Sequence, residues 1–261
     1  TGSGSNAQGQ PMSAPVGTPQ HGSGIRLDGC RALVAGASRG IGEAIAHRLV
    51  EAGATVVGLA RSADGLEAAR TRMPSPDAFV PCAGDLSTDA GLRSVAASGH
   101  LQALDVLVLS AGVMHTGTTA EAGVGELDEQ YAANLRAPFA LVQAALPGLV
   151  ARQGQIVVIT SSAATRGRAG VGQYAALQAA LRSLSESIRD EVNPLGVRVL
   201  AVFPGRTAGA RQEALHLRAG VPYREDVLMQ PDDVAQMVLA ALRLPRSAEV
   251  TEIHLRPMKK G

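Results

Sequence analysis

RALVAGASRGIGEAIA, residues 31–46, begins as a short aliphatic run, passes through three glycines and ends in alanine-rich helical spacing. It reads as strand, tight loop, helix. Gly36, Gly40 and Gly42 fall between the two regular elements, where glycine permits a sharp turn and a close approach of the backbone to a bound group. A helix starting directly behind such a loop directs its free N–H groups and positive dipole end at whatever lies over the loop, which suits a pyrophosphate. The spacing is G-x-x-x-G-x-G rather than G-x-G-x-x-G, and glycines alone need only close a turn. Their place after the first strand favours the nucleotide reading and makes Gly36, Ser38, Arg39, Gly40, Ile41 and Gly42 candidate cofactor contacts.

Working outward, short β-branched runs keep alternating with helical stretches, the signature of βαβ units and a parallel sheet. Strands are expected at RALVA from 31, TVVGLA from 55, AFVPC from 78, LDVLVLS from 104, QIVVIT from 155, VRVLAVF from 197 and EVTEIHL from 249. Helices are expected over 41–53, 126–151, 173–193 and 231–244, the last with Pro231 suited to a first turn. Residues 1–24, rich in Gly, Ser, Pro and Gln, have almost nothing to bury and read as a flexible tail before one domain over 25–261.

A net charge of +1 leaves no electrostatic footprint for nucleic acid or an acidic membrane surface. With 2% aromatic residues and no Trp, base-stacking platforms are not expected either. Two cysteines, Cys30 and Cys82, make no disulfide framework, and the histidines show no zinc-type spacing. No apolar run is long enough to cross a bilayer. A cytoplasmic protein acting on a small molecule is the expectation.

The second strand refines the cofactor. About twenty residues beyond the glycine loop, a fold that prefers NAD(H) offers an acid to the adenine ribose. Here Ala60 stands in that place and Arg61 follows, with Arg39 inside the loop. Either arginine alone could be a solvated surface charge, whereas two guanidiniums near the 2′ position suit a phosphate and favour NADP(H) over NAD(H).

Together these motifs, in this order, resemble those of the short-chain dehydrogenase/reductase family from residue 25 onward. The resemblance implies a Rossmann-type, doubly wound α/β fold with a seven-stranded parallel sheet flanked by helices. It also implies hydride transfer between a nicotinamide and a carbonyl or alcohol, in a homodimer or homotetramer. Asp85 in GDLS, with Leu86, resembles the segment that meets the adenine. Ser110-Ala111-Gly112, after Leu109, resembles the N-A-G turn beside the cofactor, with Leu109 and Ser110 in place of two asparagines. Asn134 resembles the asparagine that bends a helix and holds a relay water. Ser162 and Tyr174 resemble the catalytic serine, with Ser161 as its alternative, and the catalytic tyrosine. Pro204, Gly205 and Thr207 resemble the P-G-x-T segment at the nicotinamide, and residues 207–230, which include helical stretches, would carry the substrate contacts.

In hydride transfer the serine hydroxyl would steady the developing oxyanion while the tyrosine supplies the proton. The chain departs from the family one helical turn further on. In YAALQ, residues 174–178, Gln178 stands where the family has lysine, and the only lysines are Lys259 and Lys260. An amide can keep a hydrogen bond to the nicotinamide ribose but cannot supply charge. Since an adjacent cation moves a titrating group by roughly 1 to 3 units, its loss weakens acid/base catalysis by roughly 10- to 1000-fold. The expected activity is therefore a weakened NADP(H)-dependent interconversion of a small apolar carbonyl and its alcohol. An inactive cofactor-binding subunit is the alternative.

Overall fold

Every apolar run marked as a strand pairs in parallel with its neighbours, giving one seven-stranded sheet in the order β3-β2-β1-β4-β5-β6-β7. The computed structural model describes residues 26–259, so the tail expected over 1–24 lies outside the described residues. The strands are β1 Arg31–Ala35, β2 Thr55–Ala60, β3 Phe79–Ala83, β4 Val106–Leu109, β5 Gln155–Ile159, β6 Arg198–Pro204 and β7 Glu252–Leu255. Pro81 is tolerated because β3 lies at the edge of the sheet, where a missing N–H costs no inner ladder bond.

Among the described residues, eight α-helices connect them: α1 Gly40–Glu51, α2 Ala63–Thr71, α3 Asp89–Ala97, α4 Val124–Tyr131, α5 Ala137–Arg152, α6 Gly172–Val192, α7 Ala210–Arg218 and α8 Pro231–Leu242. Strand residues alternate between two cores. Ala32, Val34 and Val56 pack with Ile45 and Leu49 of α1, Leu66 of α2 and Val238 of α8. Leu33, Ala35 and Val57 face Val95 of α3, Leu141 and Leu149 of α5 and Leu181 and Ile188 of α6. Burial on both faces explains why the strands read as continuous apolar runs rather than alternating ones. Outside the cores, Arg48 of α1 grips Asp232 of α8 with Nε at 2.6 Å and Nη2 at 2.5 Å. That bidentate pairing draws the Asp232 carboxyl down to about 2.

Two helices, α2 and α3, were absent from the sequence expectations. Each buries only one or two side chains, Leu66 and Ala69 in α2 and Val95 in α3, so apolar periodicity is too sparse to reveal them. Their readable signal is the cap: Ser62 Oγ accepts from Gly65 N and Thr88 Oγ1 from Gly91 N, both at 3.0 Å. The stretch expected as one helix over 126–151 is instead α4, a π-helical turn at Ala132–Arg136, and α5. Among the described residues, no helix is long and apolar enough to cross a membrane, and no side-chain cluster could hold a metal ion.

Candidate active site

The strand order reverses between β1 and β4, so the loops leaving the carboxyl ends of these strands part and open a crevice there. Gly36 follows β1 directly with φ +86°, and a Cβ on it would lie 2.8 Å from Ala111 N. A Cβ on Gly42 would lie 2.2 Å from Gly36 O, so helix α1 can seat against the loop only because that side chain is missing. Gly40, at φ +61°, differs in having nothing within 4 Å of its would-be Cβ. It borders open space. Whereas α2 and α3 are capped by Ser62 and Thr88, α1 starts behind Arg39 with no side-chain cap. The first N–H groups of α1 are thus left for a ligand, which is what a pyrophosphate requires. Ser38 is half-buried in the loop, and Ile41 packs its side chain on the core.

Arg39 and Arg61 are exposed, and neither guanidinium makes a hydrogen bond or ion pair with a described residue. Arg48, Arg70, Arg72 and Arg136 are by contrast all paired with carboxylates. Asp85 Oδ1 accepts from Ser87 Oγ at 2.7 Å and Ser87 N at 3.0 Å. Ser87 chiefly, and the charge of Arg61 in addition, hold the Asp85 carboxyl below the usual range. Leu86 buries its side chain in the core shared by α3, α5 and α6, which leaves only its main chain to meet a ligand.

Past β4, Ser110 N donates to Ala35 O at 3.0 Å, and Ala111 lies against Gly36. The Asn134 side chain, 2% exposed in the π-helical turn, clamps Val113: Oδ1 accepts from Val113 N and Nδ2 donates to Val113 O, each at 2.8 Å. A Cβ on Gly112 would meet Asn134 Oδ1 at 2.9 Å. Gln130, missed in the sequence, continues this clamp one helical turn earlier, its Oε1 accepting from His115 N at 3.1 Å. The signal that could have found it is a second amide four residues before Asn134, on the same helical face.

The loop after β5 separates the two serines. Ser161 Oγ accepts from Ala163 N at 3.1 Å and so caps the 3-10 turn Ser162–Thr165. Ser162 is the exposed one, with its hydroxyl uncommitted to that cap. The turn packs against α6, which carries Tyr174 and Gln178 one helical turn apart. Tyr174 is 5% exposed, yet its hydroxyl bonds no described residue and is not among the fully enclosed atoms. The buried ring fixes the position of a hydroxyl that stays open to a ligand. Gln178 Oε1 accepts from Thr160 Oγ1 at 2.9 Å, inside the protein. At the end of β6 Pro204 is buried, and beyond it Gly205 N donates to Leu255 O at 2.8 Å and Thr207 Oγ1 donates to Gly205 O at 3.2 Å.

The fold that forms this crevice agrees with the comparisons. Residues 31–218 match the model of the short chain dehydrogenase family. The chain belongs to that family. A glycine betaine reductase of Emericella nidulans is 32% identical over 240 residues, 88% of this chain but 19% of that relative, so the chain spans about a fifth of its length. An NADP-dependent 3-hydroxy acid dehydrogenase of Salmonella typhi is 27% identical over 238 residues, 88% of this chain and 95% of that protein. The structure of an alcohol dehydrogenase from the archaeon Thermococcus sibiricus, solved with 5-hydroxy-NADP, superposes with a TM-score of 0.78 at 28% identity, covering 88% of this chain and 97% of that one.

In this short-chain dehydrogenase the segment 207–230 leaves the sheet and returns to it through a parallel bridge between Thr207 and Met229. Its helix α7 buries no residue and is held by polar tethers. Arg211 Nη2 donates to Gly112 O at 2.9 Å and Arg218 Nη1 to Thr116 Oγ1 at 3.0 Å, while Gly209 N donates to the Tyr223 hydroxyl at 3.0 Å. Below α7 an open cavity of about 420 Å³ is lined by Thr116, Thr118, Glu121, Glu126 and Arg218, and by Gly170 of the segment leading to Tyr174.

Proposed function

We propose that this short-chain dehydrogenase is an NADP(H)-dependent oxidoreductase that interconverts a small apolar carbonyl compound and its alcohol at a rate held down by Gln178. Tyr174 carries the reading: its ring is buried on α6 while its hydroxyl is accessible, beside the turn that holds Ser162. The glycine loop fits a dinucleotide because Gly40 borders open space and α1 lacks a side-chain cap. There the loop and α1 would take the pyrophosphate, Arg39 and Arg61 the 2′-phosphate, Asp85 the adenine end, and Ala111, Gly112 and the Pro204–Thr207 segment the nicotinamide end. When bound, the cofactor supplies or accepts the hydride.

The protein's own part is proton handling. Ser162 Oγ donates a hydrogen bond to the substrate oxygen as negative charge grows there, and Tyr174 delivers the proton that completes the alcohol. In the oxidative direction Tyr174 takes that proton back. One observation favours a cofactor-binding subunit without turnover instead: the neutral Gln178 beside Tyr174.

Titration with NADPH and NADH, followed by a panel of carbonyls and alcohols, separates binding from turnover. NADPH is expected to bind about 10- to 100-fold more tightly, the effect of roughly one or two charge-assisted hydrogen bonds. Arg61→Asp is expected to abolish or reverse the difference, and equal affinities at moderate salt would remove the basis for the 2′-phosphate assignment.

Assembly as a homodimer or homotetramer belongs to the same proposal. Leu127 and Tyr131 on α4 and Phe139 on α5 are 38%, 47% and 46% exposed, and the exposed Gln143, Ala144 and Pro147 continue the uncharged face along α5. Such a face favours contact with a second copy. Light scattering at micromolar concentration should give a multiple of 26.7 kDa, and the monomer mass alone would overturn the expectation.

A further inference from the structure

Thr160 follows β5 directly and is 7% exposed; Gln178 on α6 is 5% exposed. Between them runs a buried hydrogen bond of 2.9 Å from Thr160 Oγ1 to Gln178 Oε1, with the backbone oxygen of Gln178 a second acceptor at 3.4 Å. A threonine hydroxyl has one proton to donate, and a glutamine amide has one oxygen to accept it and one NH₂ to donate elsewhere. The fully enclosed side-chain nitrogens without a partner among the described residues are Gln130 Nε2, Gln173 Nε2 and Arg198 Nε. Gln178 Nε2 is not one of them, although it bonds no described residue. It therefore keeps an opening to solvent, on the helical face it shares with Tyr174.

We infer that Thr160 is a positioning residue that locks the Gln178 amide with its oxygen inward and its NH₂ toward the crevice, where the NH₂ donates to the hydroxyl groups of the nicotinamide ribose. The inference rests on the reading of the crevice as the NADP(H) site. Without the threonine hydroxyl the terminal amide torsion is broad and two-fold, so oxygen and nitrogen would exchange places and the donor would be presented only part of the time. The pair thus keeps the donor that a lysine would offer at this position, without its charge.

Two ligands test it. NADPH reaches both ends of the crevice, whereas adenosine 2′,5′-bisphosphate has no nicotinamide ribose and reports on the adenosine end alone. Affinity for NADPH is read from the fluorescence of the bound dihydronicotinamide, and for the bisphosphate by calorimetry. Thr160→Val should weaken NADPH binding about 3- to 10-fold, the effect of one net hydrogen bond, and leave bisphosphate binding unchanged. Thr160→Ser, which keeps the hydroxyl, should restore the parent value. Gln178→Glu keeps the acceptor for Thr160 but removes the donor, and should weaken NADPH by at least as much. The inference is overturned if Thr160→Val binds NADPH like the parent, or if it loses both ligands in equal proportion, which would mark a merely structural role. If the unsubstituted protein binds neither ligand, the cofactor reading itself fails.

Discussion

Gln178→Lys is expected to raise alcohol oxidation by about 10- to 1000-fold and to move the alkaline limb of its pH profile to lower pH by about 1 to 3 units. Residue 178 lies one helical turn from Tyr174 on the same face of α6, so an ammonium there favours the phenolate, the form that takes a proton from the alcohol. A buried charge is costly, but here the distal end of the side chain opens to the crevice and its stem replaces a glutamine that is already 95% covered, given its 5% exposure. Thr160 is not stranded by the change, because the backbone oxygen of residue 178 remains within reach at 3.4 Å. Oxidation should gain more than carbonyl reduction, which uses the neutral phenol. A variant that binds NADPH but shows neither a faster rate nor a shifted profile would sink the missing-charge account and favour the inactive-subunit reading.

Tyr174→Phe should lower turnover by about 100- to 10,000-fold, the usual contribution of a positioned proton donor or acceptor. The same substitution made in Gln178→Lys should erase that variant's gain, since the ammonium acts through the phenol. The ring is buried while the hydroxyl bonds no described residue, so its removal deletes no internal hydrogen bond and leaves the packing on α6 intact. Melting temperature and NADPH affinity should accordingly stay near the parent values. Residual activity above one tenth of the parent would assign the proton transfer to another group.

The sequence by itself determined the seven strands, their parallel pairing and the place of the glycine loop, because strands buried on both faces are written as unbroken apolar runs that any reading recovers. It also placed Gly36, Arg61, Asp85, Ala111, Gly112, Ser162, Gly205 and Thr207 at the carboxyl ends of the strands, since each follows a strand directly or within a few residues. Short helices were harder. For α2 and α3 the local signal was a single capping hydroxyl, and one or two buried side chains give no period to read.

The tertiary structure decided what depends on partners distant in the chain. Asn134 breaks the expected long helix into a π-helical turn because its amide is saved for both backbone groups of Val113, 21 residues earlier. Gln130 gains its role only from the strand-following loop that its helix covers. Which of Ser161 and Ser162 caps the 3-10 turn is a matter of backbone geometry that two adjacent identical residues cannot encode. The separation of 18 residues between Thr160 and Gln178 hides a contact that exists only because α6 folds back over the end of β5. Local pattern specifies which segments are helix or strand and which faces they bury, whereas a side-chain hydrogen bond depends on distances set when those segments pack.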